Sequence, residues 1–359
     1  MPNSADLNIS TRILFALPYK QEGQLITSVL LPTWPAIIFF GLLANLVNII
    51  IFIKSGIKDS VTTLLCSLAV SDLSFLIFII PFMTRYITLH FTPNWVWPID
   101  RNIMFVSFQW PALTLYDISC YTSVATGVTR CACVAMPLRF KSVFTKSRTA
   151  RLVIVLFIVA VLLRTPVLMI YTIVLRLKTS ANSMDSYWVF SDKDNFVKIN
   201  AILNRQSIPY INFIIMIACV IILTTKLYEA TRVRRSHAAH SHTEKSTRHP
   251  NDLKQSDVER MSIKDIKVVQ SVVLVCSIFV VSQLPFSVFS TARLIEPEFD
   301  DSGYYKHLFT ACSAFSYTCF FLNASVNIFV YYSFNSKYRA ALLLVLKREA
   351  AFDKPSNIT

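Results

Sequence analysis

The chain has 359 residues, of which 54% are hydrophobic and only 16% charged, and its formal net charge is +14. A soluble domain carries about 25% charged residues, so this composition excludes an ordinary water-soluble globule and points to a membrane protein. Basic residues set between long apolar runs face an anionic lipid leaflet rather than a nucleic acid.

Residues 1–31 open with polar and acidic side chains and show no basic stretch followed by an apolar core, so no cleavable signal peptide is expected. Asn8-Ile9-Ser10 in this segment is a glycosylation sequon. A membrane-spanning helix needs about 20 apolar residues, and seven runs qualify, near 32–53, 61–83, 103–134, 152–175, 207–225, 268–290 and 308–332. None alternates as a barrel strand would, so each is expected as a helix whose backbone is satisfied internally. The third and fourth runs are interrupted by Asp117 and Arg164. Residues 226–267 form the longest link, and its His237, His240 and His242 read as a solvated tract. Residues 335–350 place Tyr338, Ala341, Leu342, Val345 and Leu346 on one side with Lys and Arg around them, the pattern of an amphipathic helix on a leaflet. The fold class expected is therefore an all-α membrane protein, a seven-transmembrane helix bundle with a short amphipathic helix after the seventh span, within a tail at 333–359.

With the N-terminus outside, the inner links hold 22 Lys and Arg and the outer links 11, which favours N-terminus extracellular and C-terminus cytoplasmic. All eight cysteines fall in the spans or at their ends, where Cys packs as a small apolar residue. No outer link offers a Cys for a disulfide.

Several residues at these places resemble the rhodopsin-like (class A) G-protein-coupled receptors. Asn45 in Ala44-Asn45-Leu46-Val47 is similar to that family's first-helix asparagine, and Leu68-Ala69-Val70-Ser71-Asp72 matches its second-helix Leu-Ala-x-x-Asp. Thr129-Arg130-Cys131, followed by Met136-Pro137-Leu138, resembles the family's Asp/Glu-Arg-Tyr motif and the Pro-Leu beyond it. Pro209, Phe279 and Pro285 fall at the family's places, and Asn323 to Tyr331 resembles its Asn-Pro-x-x-Tyr segment with Ile328 in the proline's place. Departures are Thr129 for the motif acid, Gln283 for a frequent Trp, Ile217 for a frequent Tyr, and Phe105 for the usual third-helix Cys, so the family's outer disulfide is expected to be absent. Within the family, the run from Thr129 to Thr149 is most similar to invertebrate peptide-like or chemosensory receptors.

The resemblance implies a plasma-membrane receptor that senses an extracellular peptide or small chemosensory molecule and activates a heterotrimeric G protein, with no catalysis and no cofactor. It places Asp72 near Ser119, Asn323 and Asn327, whose oxygens could hold a sodium ion as allosteric modulator; a purely hydrogen-bonded structural Asp is the alternative. It implies for Arg130 a restraint by Asp265 and then contact with the G protein, alongside Leu138, Asn327 and Tyr331; a solvated Arg130 and an interfacial Tyr331 are the alternatives.

A lysine in the seventh span would be needed for retinal, yet Phe321 stands there, and Ala112 replaces the acid of amine receptors. Tyr86, Gln109, Tyr116, Gln283, Phe286 and Tyr317 in the outer halves mix aromatic faces with neutral polar tips, as ligand pockets do and as packed cores also can. Asp117 and Arg164 should reach comparable depth on antiparallel helices and are expected to pair beside the pocket; Arg164 reaching outward, or either charge binding ligand, are the alternatives. Glu296, Glu298, Asp300 and Asp301, against Arg293 and Lys306, read as a solvated acidic loop, with steering of a basic peptide as the alternative. A transporter or channel is the rival reading, opposed by the odd span number and the lack of internal duplication.

Overall fold

The computed structural model describes residues 20–99, 101–136, 140, 142–170, 172–177, 184–189, 199, 201–241, 263–334 and 338–344. Among these run seven long helices: α1 (Lys20–Ser55), α2 (Ser60–Phe91), α3 (Trp110–Ala135), α4 (Lys146–Ile170), α5 (Ile208–Ser241), α6 (Ile263–Ile295) and α7 (Lys306–Ser333). Among the described residues, five of them, α1, α2, α5, α6 and α7, are long and apolar enough by length and composition to cross a membrane. Helix α3 carries Asp117 and Arg130, and α4 carries Arg148, Arg151 and Arg164.

The helices outrun the apolar runs. Helix α1 starts at Lys20 rather than 32, α2 continues to Phe91, α5 runs on to Ser241 and α6 covers Ile263–Ile295. Hydropathy measures only the hydrocarbon thickness, whereas helical hydrogen bonds continue into water wherever no breaker intervenes. The expected link at 226–267 is thus helical at both ends. The fourth run is shorter than expected: α4 stops at Ile170, and Thr172–Leu177 forms a strand, β1, paired antiparallel with β2 (Met184–Val189). The β-branched Thr172, Ile173 and Val174 favour the extended backbone there. This hairpin is the one departure from an all-helical chain among the described residues.

Helix α3 is the hub, in contact with α2, α4, α5 and α6, and α7 closes the ring between α6 and α1. Large apolar side chains such as Phe39, Ile53, Val281, Val288 and Phe329 are exposed on the outside of the bundle, while Asn45, Asp72, Ser119 and Asn327 are buried within it. That inverts a soluble protein's usual distribution and suits a lipid surround. Asn45 Nδ2 donates to the carbonyl of Ala324 at 2.7 Å and to that of Gly41 at 2.9 Å, tying α1 to α7. A Cβ on Gly41 would lie 2.7 Å from Leu76 Cδ1 and closer still to Ser325 Oγ, so a larger residue would push both side chains aside.

Helix α7 breaks without a proline. Its helical run Lys306–Ser325 yields to a turn at Val326 and resumes over Asn327–Phe334. The Ser325 hydroxyl donates to the Phe321 carbonyl at 2.6 Å, a back-bond of the kind that bends helices. Residues 338–344 are again helical, and Ala341 and Leu342 pack against a small apolar cluster at the inner end of α1 and α2.

Candidate functional site

Two sites emerge, one at mid-bundle and one toward the outer end. At the first, Asp72 of α2 is fully buried; its Oδ1 accepts from Ser119 Oγ of α3 at 2.5 Å and its Oδ2 from Asn327 Nδ2 of α7 at 3.0 Å. Three helices therefore meet on one carboxylate. Asn323 is buried one turn before Asn327, with no hydrogen bond to Asp72 among those of the described residues. Thr122 Oγ1, three residues after Ser119 on α3, is buried with no partner among the described residues. A carboxylate with hydroxyl and amide groups on it is a donor set that fits a hard cation such as sodium.

Toward the inner end, Arg130 is half-buried, its Nε lacks a hydrogen-bond partner among the described residues, and Thr129 beside it is buried. Asp265 lies in the first turn of α6, with its side chain outside the described residues, as are Leu138 and Asn8 entirely. Tyr331 is buried against Phe52, with ring centroids 5.6 Å apart, and its hydroxyl has no partner among the described residues. It is not a lipid-interface tyrosine.

Beside it sits a residue whose role the sequence concealed. Tyr338, expected only as part of an apolar stripe, is buried, and its hydroxyl donates to Asn48 Oδ1 of α1 at 2.5 Å. Tyr338→Phe keeps the ring but strands the fully buried Asn48 amide, so it should cost about 1–3 kcal/mol. Thermal unfolding in detergent checks this: the single variant should melt lower than the parent, and Asn48→Val added to it should recover most of the loss. No loss in the single variant would mean that the bond carries no stability.

At the outer site, all six candidate side chains join one network. Gln109 Nε2 donates to Tyr317 Oη at 2.7 Å, and Gln283 Nε2 to Tyr116 Oη. Phe320 links them, stacked on Tyr116 with centroids 4.2 Å apart, tilted against Phe286 at 5.2 Å and edge-on to Tyr317 at 6.0 Å. Tyr86 joins through Trp34, at 5.6 Å, and Trp34 lies 6.3 Å from Tyr317. Trp34 is fully buried, and its Nε1 donates to Thr318 Oγ1 at 2.8 Å. Sequence reasoning missed Trp34 and Phe320, because a run that is apolar all round does not say which face looks inward.

Asp117 and Arg164 pair as the depth arithmetic implied. Arg164 Nε and Nη2 each lie 2.7 Å from Asp117 Oδ2, and the guanidinium carbon sits 5.2 Å from the centroid of Trp110. At the rim, Arg293 Nη2 lies 2.9 Å from Asp300 Oδ2, and Glu298 accepts the Tyr304 amide at 3.0 Å. Part of the acidic rim is thus engaged within its own loop. All eight cysteines are free thiols.

Comparison with known proteins gives one family match: the model described as 7 transmembrane receptor (rhodopsin family) covers residues 44–331. No curated protein matches the chain.

Proposed function

Because the chain belongs to the rhodopsin family of seven-transmembrane receptors, we propose that it binds an extracellular ligand in the outer network and passes the signal through α3, α6 and α7 to a heterotrimeric G protein. It is a multi-pass membrane protein of a receptor family rather than an enzyme family. The reading includes a plasma-membrane location, an extracellular N-terminus carrying the Asn8 sequon, and a cytoplasmic C-terminus. The observation that carries it is the buried Asp72, hydrogen-bonded to α3 and α7 together. A carboxylate shared by three helices responds to any change in their packing and so biases a two-state element.

The ligand this site suits is a peptide or small molecule with apolar surface and neutral hydrogen-bonding groups. Gln109, Gln283, Tyr116 and Tyr317 supply neutral polar tips among rings, and the charges of Asp117 and Arg164 satisfy each other. On the inner side Arg130, with Leu138, Asn327 and Tyr331, would receive the G protein, and Asp265 would restrain Arg130 at rest. Nucleotide exchange on purified G proteins, driven by the receptor in vesicles and screened against peptides and metabolites, tests the reading. Ligand-dependent exchange is expected; solute flux without exchange would replace it with a transporter or channel.

Asp72, Ser119, Asn323 and Asn327 would hold a sodium ion, which would supply the positive charge that balances the buried carboxylate. Sodium at tenfold its dissociation constant should then stabilise the receptor by about 1.4 kcal/mol. Melting in sodium chloride should exceed that in an equal concentration of an organic-cation chloride, and Asp72→Asn should erase the difference. An equal sodium response in that variant would rule out the ion site.

A further inference from the structure

Sulfur gathers in the inner half of the bundle, where α3, α5 and α6 meet. A Cβ on Gly127 of α3 would lie 3.1 Å from Met216 Sδ, 3.3 Å from Cys276 Sγ and 3.7 Å from Cys219 Sγ. One helical turn further along α3, the Cys131 thiol donates to the Cys219 carbonyl, with Sγ 3.6 Å from the oxygen. Cys219 and Cys276 are buried, while Cys131 is half-buried. Among the described residues no cluster of His, Cys, Asp or Glu is arranged to hold a metal ion, and neither proposed site uses these thiols.

We propose that Cys131 and Cys219 are an oxidisable pair that closes to a disulfide between α3 and α5 when hydrogen peroxide reaches the inner face. Gly127 lets α5 approach closely, and Cys131 Sγ already touches the backbone of Cys219. A disulfide needs Cβ atoms about 3.5–4.5 Å apart, and the contact of Cys131 Sγ with the Cys219 carbonyl sets the two residues side by side across α3 and α5. The sulfur of Cys131, the more accessible of the two, attacks one peroxide oxygen and becomes a sulfenic acid, its proton passing to the other oxygen, which leaves as water. The Cys219 thiolate then attacks the sulfenic sulfur and expels the second water, so two thiols and one peroxide give one disulfide and two waters. In a reducing cytosol such a bond is transient, as befits a redox sensor.

The bond is placed where it would be felt. Cys131 directly follows Arg130, so a covalent tie from residue 131 to α5 fixes the inner end of α3; this consequence rests on the proposed contact of Arg130 with a G protein. The test treats the full-length receptor in vesicles with hydrogen peroxide and maps peptides without reduction. A linked peptide containing Cys131 and Cys219, released by dithiothreitol, is expected, as is a fall of at least threefold in nucleotide exchange that the same reductant reverses. Cys131→Ala and Cys219→Ser should each lose both effects. Sulfinic or sulfonic acid at either residue without the linked peptide, or Cys131 linked to Cys276 instead, would overturn the pair whatever the exchange assay reads. A linked peptide with unchanged exchange would overturn its regulatory role. Absence of exchange in the reduced parent bears on the G-protein reading alone, because the peptide map tests the thiols directly.

Discussion

Alanine at either Asp117 or Arg164 should lower stability on the order of 3–5 kcal/mol and cut delivery to the cell surface, because each removal leaves the other charge buried and unpaired. The side chains of Arg164 and Asp117 are 6% and 18% exposed, so neither is well solvated where it stands. Arg164 loses more than Coulomb attraction when its partner goes, since two of its nitrogens converge on one carboxylate oxygen. Its contact with the Trp110 ring offsets only part of that, at about 0.5–2 kcal/mol. Asp117, the more exposed partner, should fall at the lower end of the range when left alone. Two double variants sharpen the expectation. Exchanging the residues, Asp117→Arg with Arg164→Asp, should restore part of the loss. Replacing both with apolar residues, Asp117→Leu with Arg164→Met, should come closer still to the parent, because a buried ion pair often contributes little over a well-packed apolar pair. Melting temperature and surface labelling read all four. Single variants as stable as the parent would show that water reaches the pair freely.

Trp34→Ala should be comparably costly, about 3–5 kcal/mol, and for a different reason. The indole is fully buried where α1 meets α2 and α7, with ring contacts to Tyr86, Tyr317 and Phe321. Its hydrogen bond is the smaller part of the effect, since Thr318 keeps its own donation to the Ala314 carbonyl at 2.8 Å. Trp34→Phe should therefore recover most of the stability that alanine loses. Unfolding in detergent separates the two substitutions. If phenylalanine proves as damaging as alanine, the hydrogen bond and not the packing holds α1 at the outer end.

The bundle itself was legible because spanning a membrane demands long apolar runs, and seven of them stand in the chain. Helix ends were not, since nothing in hydropathy marks where α5 or α1 stops once outside the hydrocarbon layer. The pairing of Asp117 with Arg164 could be reasoned from depth alone: two opposite charges near mid-membrane on neighbouring antiparallel helices have few other partners. Asp72 with Ser119 and Asn327 was found by resemblance, not by spacing, because the three residues are far apart in the chain. Trp34 and Phe320 escaped notice for a common reason. In a helix that is apolar on every side, lipid-facing and core-facing positions carry the same residue types, so only the packed neighbours reveal which way a ring points. The gathering of Cys131, Cys219 and Cys276 was hidden likewise, as each cysteine alone reads as filler.

Pro285 sits inside α6, whose helical run extends unbroken from Ile263 to Ile295. Proline deletes one backbone hydrogen bond and softens the helix locally, which makes the helix a rod with a pivot set off-centre. The inner arm, from Ile263 to the pivot, measures about 33 Å at 1.5 Å per residue, against about 15 Å for the outer arm. A bend of about 15° at the pivot would sweep the inner tip through about 9 Å while displacing the outer tip by about 4 Å. The unequal arms would thus act as a displacement amplifier: a shift at the Ile295 end no larger than a single side chain's adjustment would be returned at the Ile263 end about twofold larger.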